Sequence, residues 1–130
     1  MTHPVTRTVF EYALLHVVPR IERGERINAG VVLYCRAHSF VAARTHLDER
    51  RLRALDPGAD LAGVHAALRA AEAVCRGGPD AGQAAGDEAG RRFRWLIAPR
   101  STVVQPGPVH TGLTADPAAE AERLLDLLVR

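Results

Sequence analysis

The 130 residues, 47% hydrophobic, 25% charged and 5% aromatic, amount to one domain with its own core and leave no room for two separate catalytic domains. Formal charge is +2 and all 17 basic residues are Arg, which excludes Schiff-base lysine chemistry and a Walker-type phosphate loop. No stretch reaches the roughly 20 apolar residues that span a bilayer, and MTHPVTRTVFEY lacks the regions of a secretory signal, so the chain reads as cytoplasmic.

In chain order, TVFEYALLHVV over 8–18 is rich in β-branched and aromatic residues and stops at Pro19, which predicts a first strand. RIERGERINAG makes a charged turn around Gly24. The apolar run VVLYC behind Gly30 predicts a buried second strand, and FVAARTHL a third. The short connections require antiparallel pairing, because parallel neighbours need crossovers of about a dozen residues or more.

Asp48 is placed to cap a short helix, DERRLRALD, which Pro57 and Gly58 end. Asp60 then caps a longer one, with Leu61, Val64, Leu68, Ala71 and Cys75 at helical spacing up to Gly77. Residues 77–90 are Gly-rich without a large apolar side chain and predict a flexible surface loop. A short helix follows, DEAGRRFRWLI, with Phe93, Leu96 and Ile97 as its inward face. STVVQ predicts a fourth strand, cut off by Pro-Gly-Pro. Asp116 as N-cap, Pro117 at the first helical position and Ala121, Leu124, Leu125 and Leu128 along one side define the last helix. The expectation is an α+β fold: a single domain over 1–130, with an antiparallel sheet of about four strands packed with two main helices plus short helices. The helices at 60–76 and 116–130 are expected mainly on one side of the sheet.

Two groups of residues have binding chemistry. Arg100, Ser101, Thr102, His110 and Thr111 place a guanidinium, hydroxyls and an imidazole on what reads as a hairpin-like excursion in a stretch, 91–110, with four Arg and no acid. Arg20, Arg23, Glu25 and Asn28, with Arg26, form the second group in the turn before strand two. Their bland reading is a solvated turn with surface ion pairs, Asn28 and Gly30 shaping a bulge at the strand entrance. For the first group the bland reading is turn chemistry, in which Ser and Thr bond their own backbone.

Other chemistry is poorly supported. Cys35 and Cys75 form no CxxC and read as buried hydrophobes, and the six His include no HxH, HExxH or HxxxH, so neither metal nor cofactor is expected. No GxSxG elbow is present; a small hydrolase or nuclease-like enzyme using His110 and Ser101 is one alternative. Nucleic-acid binding through the Arg91 to Arg100 stretch is another, although Phe93 and Trp95 are expected to fill the core. The preferred reading is a non-enzymatic binding or accessory module that recognises an anionic group on a protein partner or small ligand.

At YALLHVVPRIERGERINAGVVLYC and again at RFRWLIAPRSTVVQPGPVHTGLTADP, the sequence resembles a bacterial family known as domain of unknown function 3037. The similarity runs from the first strand to the closing helix. No activity comes with it. The resemblance implies an accessory role, with a HipA-like serine/threonine kinase as the protein partner.

Overall fold

Two long strands, β1 (Thr8–Val17) and β2 (Ile27–Cys35), form an antiparallel pair at the centre of the sheet, and β3 (Phe40–Thr45) follows β2 across a short 3-10 turn. A computed structural model describes residues 5–77 and 89–130. The loop expected over 77–90 lies outside the described residues at 78–88.

The apolar run of β2 divides between two faces because strand side chains alternate. Val32 packs with Ala13, Leu15 and Ala43 on one face, whereas Val31, Leu33 and Cys35 join Phe10 on the other. The first face is covered by α2 (Leu61–Arg76) and α3 (Ala89–Ile97), through Ala71, Val74, Cys75, Phe93 and Leu96. The second is covered by α4 (Pro117–Leu128) through Ala121, Leu124 and Leu125. The two main helices therefore lie on opposite faces, which corrects the one-sided expectation. The N-terminal half of α2 adds Val64 and Leu68 to Val17, Ala29 and Leu52 of α1 (Glu49–Leu55).

Helix starts follow the caps read from the sequence. Asp48, Asp60 and Asp116 accept hydrogen bonds from the backbone N–H of Arg51, Gly63 and Ala119, and Pro117 opens α4. The expected bulge is also present: Leu15 pairs with Gly30 and His16 with Asn28, so Ala29 is the extra residue. Among the described residues no helix is long and apolar enough to cross a membrane.

The far edge of the sheet departs from expectation. β4 (Val104–Pro106) and β5 (His110–Thr114) both pair with β1, giving a sheet of five strands where about four were expected. Leu15 stands opposite Pro106 and Tyr12 opposite His110, so Gly107, Pro108 and Val109 face only Ala13 and Leu14. The segment is one edge strand with a one-residue bulge, not a hairpin. Gly107 donates its N–H to the Leu14 carbonyl at 2.8 Å, and a Cβ there would stand 2.8 Å from His16 Nε2. Glycine lets the chain pass directly over the imidazole. His16 is buried with no hydrogen-bond partner on Nδ1. Burial holds its pKa below 6.5; a hydrogen bond with Asn28 opposes that, and the charge of Arg26 adds to it.

Two predictions follow from this packing. Phe93 is fully buried where α3 meets the sheet, so Phe93→Ala lowers unfolding free energy by about 3–5 kcal/mol in a denaturant titration. His16 is held neutral in the folded state while the unfolded chain titrates near 6.5. Stability is then fully present above that pH and is lost as pH falls toward the depressed folded value. A series of melting temperatures taken downward from neutral pH shows the decline, and His16→Gln flattens it.

Candidate functional site

Arg100, Ser101 and Thr102 leave α3 and lead into β4. The Val103 carbonyl accepts from the Val18 N–H at 2.7 Å, whereas His110 pairs with Tyr12 near the other end of β1. With a strand rise of ~3.3 Å per residue, these points are on the order of 20 Å apart. The His110 ring lies against Tyr12, centroids 5.3 Å apart, and Thr111 is exposed on the opposite face. The expected convergence of Arg100, Ser101, Thr102, His110 and Thr111 is thereby corrected: an edge strand that runs on along β1 separates residues that a hairpin would have brought together. Ser101 and His110 make no nucleophile–base pair.

Arg100 and Thr102 do share a site. They border a groove of about 280 Å³ whose walls include Ala67, Ala70 and Val74 of α2, Leu15 and Val104 of the sheet, and Trp95 of α3. The alanines leave the space, because a bare methyl reaches little beyond the α2 backbone. Phe93 and Leu96 turn inward from α3, so Trp95 projects off that face and is 42% exposed. The expectation that Trp95 fills the core is corrected. Its place was legible, since it falls outside the inward spacing of Phe93, Leu96 and Ile97.

Arg100 stacks its guanidinium over the Trp95 ring, 4.8 Å from the centroid, and donates to the carbonyls of Ala98 at 3.3 Å and of Trp95. These contacts fix the side chain without neutralising it, and among the described residues no carboxylate pairs with it. Among the described residues Arg100 is the one charged residue of the groove lining, and no acid lines it. Thr102 has turn chemistry: its hydroxyl donates to the Val104 carbonyl at 2.7 Å, and its own carbonyl accepts from the Gln105 amide at 2.8 Å.

The second expected group lies elsewhere and is largely satisfied internally. Arg20 pairs with Glu22 at 2.8 Å and Arg23 with Glu25 at 2.5 Å, all on the exposed turn between β1 and β2. Hydrogen bonding holds both carboxyls below their ordinary pKa, from the backbone and then Arg20 at Glu22, and from Arg23 at Glu25. Asn28 donates to the Leu128 carbonyl at 3.1 Å, tying β2 to the end of α4.

Around α3 the remaining cations differ: Arg92 has a buried Nε and lies against Gly77. Arg91 is exposed, and Arg94 lies over Tyr34 at 5.9 Å. Cys75 is buried against the sheet, and burial pushes its thiol pKa up to about 12, which leaves it unreactive. Among the described residues no group of three or more His, Cys, Asp or Glu is arranged to hold a metal ion.

No curated protein and no solved structure matches the chain. A family model described as a protein of unknown function (DUF3037) matches residues 12–129, from within β1 to the end of α4, and the chain belongs to that family.

Proposed function

We propose that this chain is a non-enzymatic accessory module. In the groove between α2, α3 and β4 it holds a segment of a protein partner that presents a carboxylate beside apolar side chains. The observation that carries this reading is Arg100 stacked on the exposed Trp95 at the rim of a groove whose described lining is apolar and free of acids. An apolar side chain gains by leaving water in the groove, and the carboxylate meets a guanidinium already oriented by its contacts with Trp95 and Ala98. The HipA-like kinase implied by the family resemblance is the first partner to test.

A second reading has its own support. Trp95, Arg91 and Arg94 are exposed on one short helix, a combination suited to stacking on a base and contacting phosphate. The described walls of the groove favour the protein segment, because they offer apolar surface and a single charge rather than a basic track.

Capture from the native host with the tagged chain, run beside an Arg100→Ala variant, separates these readings. The expected result is a protein recovered with the parent chain and depleted with the variant. Trp95 is the only tryptophan, so its fluorescence reports titration with that protein. Loss of a charge-assisted bond of about 1.5–3 kcal/mol weakens binding roughly ten- to hundredfold, with the melting temperature nearly unchanged. Equal loss of stability and binding assigns Arg100 a structural role. Recovery of nucleic acid whose affinity falls steeply with salt supports the second reading.

A further inference from the structure

We infer that β5 is a pairing edge for a second copy of this chain, joined antiparallel about a two-fold axis at Gly112. The direction of the backbone groups carries the argument. Leu14 turns its carbonyl to Gly107 at 2.8 Å and Val18 its N–H to Val103 at 2.7 Å, so even-numbered residues of β1 address the outer edge. Val9 turns its carbonyl the other way, toward Cys35 Sγ on β2 at 3.6 Å. Backbone groups alternate along an antiparallel ladder. Thr8, Phe10 and Tyr12 therefore engage Thr114, Gly112 and His110, their register partners, and Thr111 and Leu113 point N–H and C=O away from the sheet.

Among the described residues no strand pairs with that outer side of β5. A two-fold at Gly112 sets Thr111 opposite Leu113 of the second copy, and Leu113 opposite Thr111 of the second copy. Both pairs are then of the hydrogen-bonded kind, and every outward N–H meets an outward C=O with none left over. Gly112 itself falls at the non-bonded position, where facing Cα atoms approach to roughly 4.5 Å and a side chain would crowd its own image. It has no side chain, and one is already forbidden on its own account, since a Cβ would stand 2.6 Å from the Phe10 ring.

Sequence around the edge agrees. Edge strands are commonly guarded by charge or proline. Pro106 and Pro108 guard the β4 half, but residues 101–115 contain no Arg, Asp or Glu, and β5 has no proline. The charges beside it, Arg7, Asp116, Glu120 and Arg123, border Leu113 and Thr114 from neighbouring elements, and an identical neutral strand brings no like charge of its own onto β5. Val9 and Leu113 are register partners and each 59% exposed, on the part of the face that α2 and α3 leave uncovered. Thr111 of the second copy would lie beside Leu113 and shield it.

Sedimentation velocity of the whole chain over a concentration series tests the inference. A monomer–dimer equilibrium is expected, with slowed amide exchange at Thr111 and Leu113 on dimer formation. Thr111→Pro removes an outward donor that the monomer does not use, and Leu113→Lys places a like charge on both copies at an exposed position. Both are expected to be monomeric with unchanged circular dichroism, while Arg100→Ala remains dimeric, which separates this edge from the groove. A monomer at every concentration, a dimer that survives Leu113→Lys, or fast exchange of both amides in the dimer overturns the inference. If Thr111→Pro fails to fold, Leu113→Lys and the exchange data decide the matter.

Discussion

Burial of β2 on both of its faces is the constraint from which the rest of the structure follows. Val31, Val32, Leu33 and Cys35 have no exposed surface, so each face of this strand must be covered, and no single layer of helix can do it. The consequence is a division of the helices, with α2 and α3 against Val32 and α4 against Val31, Leu33 and Cys35. Their main contacts are with β2 and β3, and α2 also reaches β4. Little helix remains for the outer part of β1 and for β5. The exposed Val9 and Leu113 are what this allocation leaves uncovered.

The groove arises from the same allocation. Where α2 passes over Leu15 and Val104 it presents alanines, so helix and sheet are held together without the space between them being filled. Trp95 and Arg100 then close one side of an opening that large side chains on α2 would have occupied. Magnitudes separate this site from the turn at Arg20 to Glu25. There the cations are matched by exposed carboxylates, and such surface pairs are worth roughly 0–1 kcal/mol and are screened by salt. Arg100 keeps its charge and is oriented by an aromatic ring and two carbonyls, which would lower the entropy lost on binding the proposed carboxylate.

The legibility of the sequence depended on how local the determining physics was. Asp48, Asp60 and Asp116 act within a turn of the helices they start, and all three caps were readable. The side of the sheet that each helix takes is a tertiary matter, yet one signal was present: VVLYC is continuously apolar, and a strand with one solvated face alternates instead. Pro-Gly-Pro was harder. Those residues suit a hairpin turn and an edge bulge equally well, and only the pairing of Pro106 with Leu15 and His110 with Tyr12 distinguishes the two. Misreading it joined His110 to Arg100. Trp95 was obscured by a general preference for burying tryptophan, although the helical spacing of its neighbours pointed outward.

The bulge at Gly107 to Val109 also divides the labour of the edge strand. On its β4 side, Val104 and Pro106 belong to the groove; on its β5 side, Thr111 and Leu113 direct backbone groups outward. Pro106 and Pro108 cannot donate to a further strand, so pairing that begins at Gly112 is stopped before it reaches β4. Two copies joined at β5 would keep both grooves clear of their shared edge. Such a pair would present two Arg100–Trp95 sites on one rigid sheet, and a partner with two matching segments would bind the second at high effective concentration. The proline break thus limits the reach of a strand whose backbone would otherwise continue the sheet across the site.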